Sequence, residues 1–164
     1  MDFSTIGVMG AGQMGRGIAQ VVAAAGLHVV LYDLDLHPLE EAQARITEGL
    51  NKAVKKGKLT EWVREKTHKK IKSTSKYEDI GMCDLVIETV PEKEEIKLEV
   101  FEGLEEICPK DTVFASNTSS LPITRLASST DRPNLFIGIH FMNPAPLMQL
   151  VEVTRGWRTS DETF

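Results

Sequence analysis

Only two cysteines, Cys83 and Cys108, occur in the 164 residues. They lack metal-ligand spacing and read as ordinary buried thiols. No apolar run approaches the roughly 18 residues that a membrane-spanning helix needs. The N-terminus has no cationic segment followed by an apolar stretch and a cleavage site, so no secretory signal is expected. No internal repeat or low-complexity segment is visible. Apolar content of 41% and charged content of 26% are ordinary for a soluble globular protein. The length suits one domain with a substantial core. A cytoplasmic location is the expectation, with no membrane partner.

What the chain does have is Gly10-Ala11-Gly12-Gln13-Met14-Gly15. The apolar run Thr5-Ile6-Gly7-Val8-Met9 precedes it, and a helix-like stretch over 13–25 follows. Asp33 ends the next apolar run, 18 residues after Gly15. A G-x-G-x-x-G alone is weak evidence. With strand, helix and acid all in place it reads as a dinucleotide fingerprint. Gly10 permits the tight turn, Gly12 lets backbone approach a pyrophosphate, and Gly15 lets helix and strand pack closely. Gln13 and Met14 then open a helix whose free N–H groups and positive end attract phosphate. Asp33 can accept hydrogen bonds from both adenosine ribose hydroxyls and would repel a 2′-phosphate. Leu34-Asp35-Leu36 adds no cation to bind one. NAD is therefore expected over NADP.

Strand-like runs fall at 5–9, 28–32, 70–74, 84–89, 112–116, 135–141 and 149–153. Helix-like stretches fall at 13–25, 38–56, 61–69, 92–107 and 122–129. Leu39, Ala42, Ile46, Leu50 and Ala53 recur at helical spacing, as do Ile96, Val100, Leu104 and Ile107. Pro38 and Pro122 suit a first helical turn. This alternation implies an α/β domain, a Rossmann-type doubly wound and mainly parallel sheet. Two helical segments with Gly57 between them separate the second and third strands. An ordinary crossover needs one, so the pair reads as a protruding helical hairpin.

Charge is uneven. From Lys52 to Lys72 there are nine basic and two acidic residues, leaving ten basic and 22 acidic elsewhere. The cluster implies either a local anionic partner or a solvated helical face. Without interleaved aromatics or a nucleic-acid motif, nucleic acid is not expected. Near the other end, Thr159 and Glu162 have capping-box spacing, a helix-start signal. The expectation is that residues 1–164 form an NAD-binding domain and that a further domain follows.

His140 follows the run Leu135-Phe136-Ile137-Gly138-Ile139, at the strand edge where open α/β sheets bind ligands. Glu152 interrupts the apolar run Leu150-Val151-Glu152-Val153, and a carboxylate among aliphatics costs free energy to bury unless paired. Neighbouring strands would bring it to His140. Such a pair holds one imidazole tautomer and suits a general base that takes a proton from an alcohol. Taken alone, His140 would more often be structural. Asn117-Thr118-Ser119-Ser120 follows the strand ending at Ser116, and Asn143-Pro144 follows His140. Amides and hydroxyls there can orient a carbonyl or a nicotinamide, or simply form polar loops. Glu92 and Lys97, beside a helix start, read as generic helix charges.

Together the glycine motif, Phe114-Ala115-Ser116-Asn117-Thr118-Ser119-Ser120-Leu121, and His140-Phe141-Met142-Asn143-Pro144 through Leu150-Val151-Glu152-Val153 resemble the L-3-hydroxyacyl-CoA dehydrogenase family, in particular its short 3-hydroxybutyryl-CoA members. The resemblance runs from Ile6 to Phe164. It implies that His140 is the catalytic base and Glu152 its partner, with Ser119 and Asn143 near the reacting oxygen. It implies NAD contacts from Asp33, Glu92, Lys97 and Asn117, and a coenzyme A contact from Lys56. Gly49 stands where some members carry a serine that touches the acyl-CoA. The implied reaction oxidises an L-3-hydroxyacyl-CoA to the 3-ketoacyl-CoA without a metal. The family also implies a helical C-terminal domain that completes the cleft and makes most of a homodimer contact. By itself the 164-residue chain is then expected to be a monomer that binds NAD and turns over little. Other 3-hydroxyacid or sugar-acid dehydrogenases, and a non-catalytic NAD-binding module, share part of the pattern.

Overall fold

A computed structural model covers Met1–Phe164. Its strands are β1 (Thr5–Met9), β2 (His28–Tyr32), β3 (Ile71–Thr74), β4 (Leu85–Glu88), β5 (Val113–Ser116), β6 (Phe136–Phe141) and β7 (Val151–Arg155). They form one sheet in the order β3-β2-β1-β4-β5-β6-β7. The first six run parallel, and β7 returns antiparallel to β6. The crossover helices are α1 (Gln13–Ala24), α2 (Leu36–Lys55), α3 (Glu61–Lys69), α4 (Glu94–Ile107) and α5 (Ile123–Ala127). This is the doubly wound order, with its switch point where β1 lies between β2 and β4.

Strand periodicity explains the two cores. Along β4, Leu85 and Ile87 enter the core packed under α1 and α2, while Val86 enters the one under α4 and α5. Ile18, Ala19 and Val22 of α1 and Leu39, Ala42, Ile46 and Leu50 of α2 fill the first. Phe101 and Leu104 of α4 and Leu126 of α5 fill the second with Phe114 and Phe136. Glu88 shares the parity of Val86, so it faces α4.

The helical pair stands off the sheet mainly at its tip. The buried stripe of α2 ends at Leu50, and Thr67 is the buried residue of α3. Thr60 caps α3 by accepting from Val63 N at 3.3 Å. Lys56 is the exposed C-cap of α2. Short 3-10 turns at Tyr77–Met82 and Pro133–Leu135 have no counterpart in the sequence pattern. Pro122 sits at the N-cap of α5 rather than inside its first turn.

The capping box expected at Thr159 and Glu162 is not formed. Thr159 is buried, its hydroxyl accepting from Gly156 N at 2.8 Å and donating to Phe136 O at 2.6 Å. Closing this loop onto the start of β6 consumes both hydrogen-bonding capacities. Ser160 acts instead, accepting from Thr163 N at 3.2 Å. Cys83 and Cys108 are free and buried. Burial pushes their thiols up to about 12 and about 11, so neither is poised as a thiolate. No helix is long and apolar enough to cross a membrane.

One turn governs the switch point. Gly10 has φ +98°, and a Cβ on Gly15 would lie 1.8 Å from the Gly10 carbonyl oxygen. That oxygen is backbone and cannot swing away. A Gly15→Ala substitution is expected to destabilise the domain by at least ~2 kcal/mol through forced backbone movement. The check is a lower urea midpoint at unchanged m value.

A second check concerns Asp84, which clamps the start of β1. Its Oδ2 accepts from Ser4 N at 2.7 Å, Thr5 N at 2.9 Å and Ser4 Oγ at 2.9 Å. The backbone hydrogen bond from Ser4, followed by that from Thr5, holds its carboxyl below the ordinary 3.8. A depressed folded value means stabilisation that is present above the unfolded value and lost as pH falls through the folded one. Asp84→Asn should therefore lower the melting temperature at neutral pH. The two melting curves should converge below the ordinary aspartate range.

Candidate active site

The C-terminal ends of β1, β4, β5 and β6 share one edge of the sheet, and the candidate residues gather there. At β1 the glycine turn leads straight into α1. The helix has no side-chain cap and no acid in its first turn. A Cβ on Gly12 would meet nothing within 4 Å, so the space over the first turn is open. Unpaired N–H groups, a positive helix end and open room fit a pyrophosphate. Asp33, just past β2, braces this turn by accepting from Ala11 N at 2.8 Å through Oδ2. Its Oδ1 has only a 3.3 Å contact from Asp35 N and is the oxygen left for a ribose hydroxyl.

Thr89 was not legible as part of this machinery. Its hydroxyl lies 2.8 Å from Met9 O and 3.1 Å from Gly10 O, tying the β4 end to the glycine turn. Only the position of Thr89 one residue after a buried strand hinted at this.

A cavity of about 290 Å3 opens beside the turn, and Met14, Glu92, Asn117, Ser119, His140 and Asn143 are among its walls. His140 and Glu152 are direct cross-strand partners on β6 and β7. Partners in register bring their Cβ atoms to roughly 5 Å on one face. His140 Nδ1 lies 2.9 Å from Glu152 Oε2. A carboxylate only accepts, so Nδ1 carries the proton and Nε2 is the free basic nitrogen. Glu152 is not buried among aliphatics, as the run around it suggested; its side chain is 55% exposed. The reason is that β7 is an edge strand, exposed along its whole length.

Asn117 and Asn143 are fastened from opposite sides. Asn117 Oδ1 accepts from Phe141 N at 2.9 Å, which locks the β5 loop to the end of β6. Asn143 Oδ1 accepts from Gln13 Nε2 at 3.1 Å, joining the loop after His140 to α1. Ser119 is exposed on the cavity wall, its N–H 3.2 Å from Glu92 Oε1. Lys56 lines neither this cavity nor the smaller one beside it.

Glu92 and Lys97 are not generic helix charges. Lys97 is 1% exposed, with Nζ 2.7 Å from Glu88 Oε1 and 3.1 Å from Glu92 Oε2. A lysine pays so heavy a desolvation cost only when its charge is matched. Its partner Glu88 is wholly buried at the end of β4, accepting from Ser116 Oγ at 2.6 Å and Val90 N at 2.7 Å. Glu92 also accepts from the Thr118 hydroxyl and, at 3.0 Å, from Ser120 Oγ. Burial alone would raise the Glu92 carboxyl. The hydrogen bonds from Thr118 and Lys97 and the charge of Lys97 outweigh it and hold the group at about 2. Glu88 was missed from the sequence, although a carboxylate closing Leu85-Val86-Ile87 was the same signal that drew attention to Glu152.

Comparison with known proteins bears on the family of the chain. Residues 5–164 match the family model described as 3-hydroxyacyl-CoA dehydrogenase, NAD binding domain. A 3-hydroxybutyryl-CoA dehydrogenase of Bradyrhizobium diazoefficiens is 50% identical over 159 residues, covering 97% of this chain and 54% of that protein. A 3-hydroxyadipyl-CoA dehydrogenase of Escherichia coli is 41% identical, covering 99% of this chain and 34% of the relative. The crystal structure of (S)-3-hydroxybutyryl-CoA dehydrogenase PaaH1 from Ralstonia eutropha superposes with TM-score 0.96 at 41% identity, covering 99% of this chain and 57% of that one. The chain thus spans about half the length of the 3-hydroxybutyryl-CoA dehydrogenases it matches. With the fingerprint turn, the doubly wound order and these matches in agreement, the chain belongs to the NAD-binding domain family of the 3-hydroxyacyl-CoA dehydrogenases.

Proposed function

We propose that this domain provides the NAD site and the proton-transfer pair of a dehydrogenase that oxidises short-chain L-3-hydroxyacyl-CoA, 3-hydroxybutyryl-CoA foremost, to the 3-ketoacyl-CoA. The observation that carries the reading is the His140–Glu152 pair, 2.9 Å apart, with His140 in the wall of a cavity beside the glycine turn. NAD, when bound, supplies the hydride acceptor. The open first turn of α1 holds its pyrophosphate and Asp33 its adenosine ribose. His140 accepts the substrate hydroxyl proton at Nε2. Glu152 keeps the ring in the required tautomer and balances the charge it then carries. Ser119 and Asn143 orient the oxygen at C3, and Asn117, Glu92 and Lys97 line the nicotinamide end. Lys56, at the tip of the basic hairpin, takes the anionic part of coenzyme A.

Leu147, Met148, Leu150, Val151, Val153 and Trp157 are exposed on and around β7. We assign this face to contact with further protein, in a homodimeric full-length enzyme, that closes the cleft. With the face open, the isolated domain binds NAD and turns over little, because water is not excluded from the reacting atoms.

Two measurements test the reading. NADH should quench or enhance fluorescence saturably on titration while NADPH binds at least about tenfold more weakly, the cost of setting a phosphate against Asp33. Equal affinity for the two would overturn the role of Asp33. In a full-length enzyme carrying this domain, His140→Asn should lower kcat for acetoacetyl-CoA reduction by about 10²–10⁴-fold while leaving the NADH Kd within about threefold. Turnover by the isolated domain at a rate near 10 s⁻¹, about that of a typical enzyme, would contradict the open-cleft assignment.

A further inference from the structure

Behind the cavity wall lies a ring of side chains closed through the Thr118 backbone. Glu88 Oε1 meets Lys97 Nζ, Lys97 Nζ meets Glu92 Oε2, and Glu92 Oε1 meets the Thr118 hydroxyl. Thr118 N donates to Ser116 Oγ at 3.3 Å, and Ser116 Oγ donates to Glu88 Oε2, which closes the circuit. Lys97 and Glu92 line the cavity, whereas Glu88 does not. Every contact that Glu88 makes is from a donor: the Lys97 ammonium, the Val90 N–H and the Ser116 hydroxyl. Such a set favours the ionised carboxylate. Two carboxylates thus share one ammonium, and the cluster carries one net negative charge.

A structural brace would not need that imbalance. Lys97 with Glu92 alone would be a neutral pair joining the same two loops, and burying a second carboxylate adds desolvation cost. Burial does push the Glu88 carboxyl up, opposed by the charge and hydrogen bond of Lys97. What the extra charge accomplishes is electrostatic. The oxidised nicotinamide ring carries a positive charge and the reduced ring carries none. A fixed negative charge in the wall therefore acts on one form and not the other.

We propose that Glu88 is a positioning residue that sets the charge of the cavity wall, and that through Lys97 and Glu92 it biases the domain toward the oxidised nicotinamide cofactor. This rests on the assignment of the cavity to the nicotinamide end of NAD. Without Glu88, the Lys97 charge would cancel that of Glu92. His140 also lines the cavity and Glu152 pairs with it, but both are common to every variant compared and drop out of a ratio.

The experiment is calorimetric titration of the 164-residue domain with NAD+ and with NADH, read as the ratio of the two dissociation constants. Glu88→Gln keeps the shape and removes one charge. It should shift the ratio about five- to tenfold toward NADH, the scale of one unit charge acting across a partly screened protein interior. The double variant Glu88→Gln with Lys97→Met restores a single negative charge on Glu92. It should return the ratio to within about twofold of the wild type, even if both affinities fall. A merely structural role would weaken both ligands alike and leave the ratio unmoved in Glu88→Gln, which would overturn the proposal. Should Glu88→Gln fail to fold, Glu92→Gln decides, since it leaves Glu88 and Lys97 as a neutral pair: a shift of about five- to tenfold toward NADH supports the proposal, and an unmoved ratio overturns it. Wild-type domain that binds neither nucleotide would overturn the cofactor-site reading itself, and this inference with it.

Discussion

The contact between Gly15 and the carbonyl of Gly10 is the constraint on which the site depends. A β-carbon at position 15 would overlap that oxygen, so only glycine lets α1 begin this close to the end of β1. Close packing there aims the first turn of α1 at the gap between β1 and β4. The same carbonyl meets the Thr89 hydroxyl, so the turn is registered against β4 and all that follows it. The open phosphate cradle and the cavity both adjoin this short approach.

Two glutamates in strand contexts have opposite surroundings, and the sheet explains why. Glu88 ends a central strand with helices on both faces, so it is buried and needs Lys97. Glu152 lies on the edge strand β7, where solvent reaches both strand and side chain. Burial pushes the Glu88 carboxyl up, and it is the donors on both its oxygens, Lys97, Val90 N and Ser116, that favour its charge. In the domain alone Glu152 is half-exposed at the rim beside His140. One residue type thus supplies a buried carboxylate behind the wall and the partner of His140 at its rim.

The β6–β7 pairing also decides which side chains meet. A register slip of one residue would send Glu152 to the opposite face from His140. Register is held at the far end by Thr159, whose buried hydroxyl ties the loop after β7 to Phe136 at the start of β6. Hydrogen bonds from Phe141 N to Asn117 and from Gln13 to Asn143 then hold the His140 strand and its following loop against β5 and α1. The site is assembled from four strand ends by bonds that each cross between elements.

Much of this was legible in the residues. Apolar runs placed all seven strands within about two residues, and in the central strands, buried on both faces, those runs are continuous and rich in β-branched residues. The glycine fingerprint with Asp33 located the phosphate turn, and a histidine and a glutamate in successive apolar runs suggested their pairing. Other features depended on distance. Glu88 and Lys97 are nine positions apart in the chain, and only folding α4 back over β4 brings their charges together. The exposure of Glu152 follows from β7 being an edge, which no local pattern encodes. Thr159 has the spacing of a helix cap, yet Phe136, 23 residues away, claims its hydroxyl. Local composition and periodicity by themselves determined the elements, the glycine turn and the chemistry of the candidate side chains. Tertiary structure alone decided which charges are buried, because burial and pairing belong to residues that meet only once the sheet has closed around them.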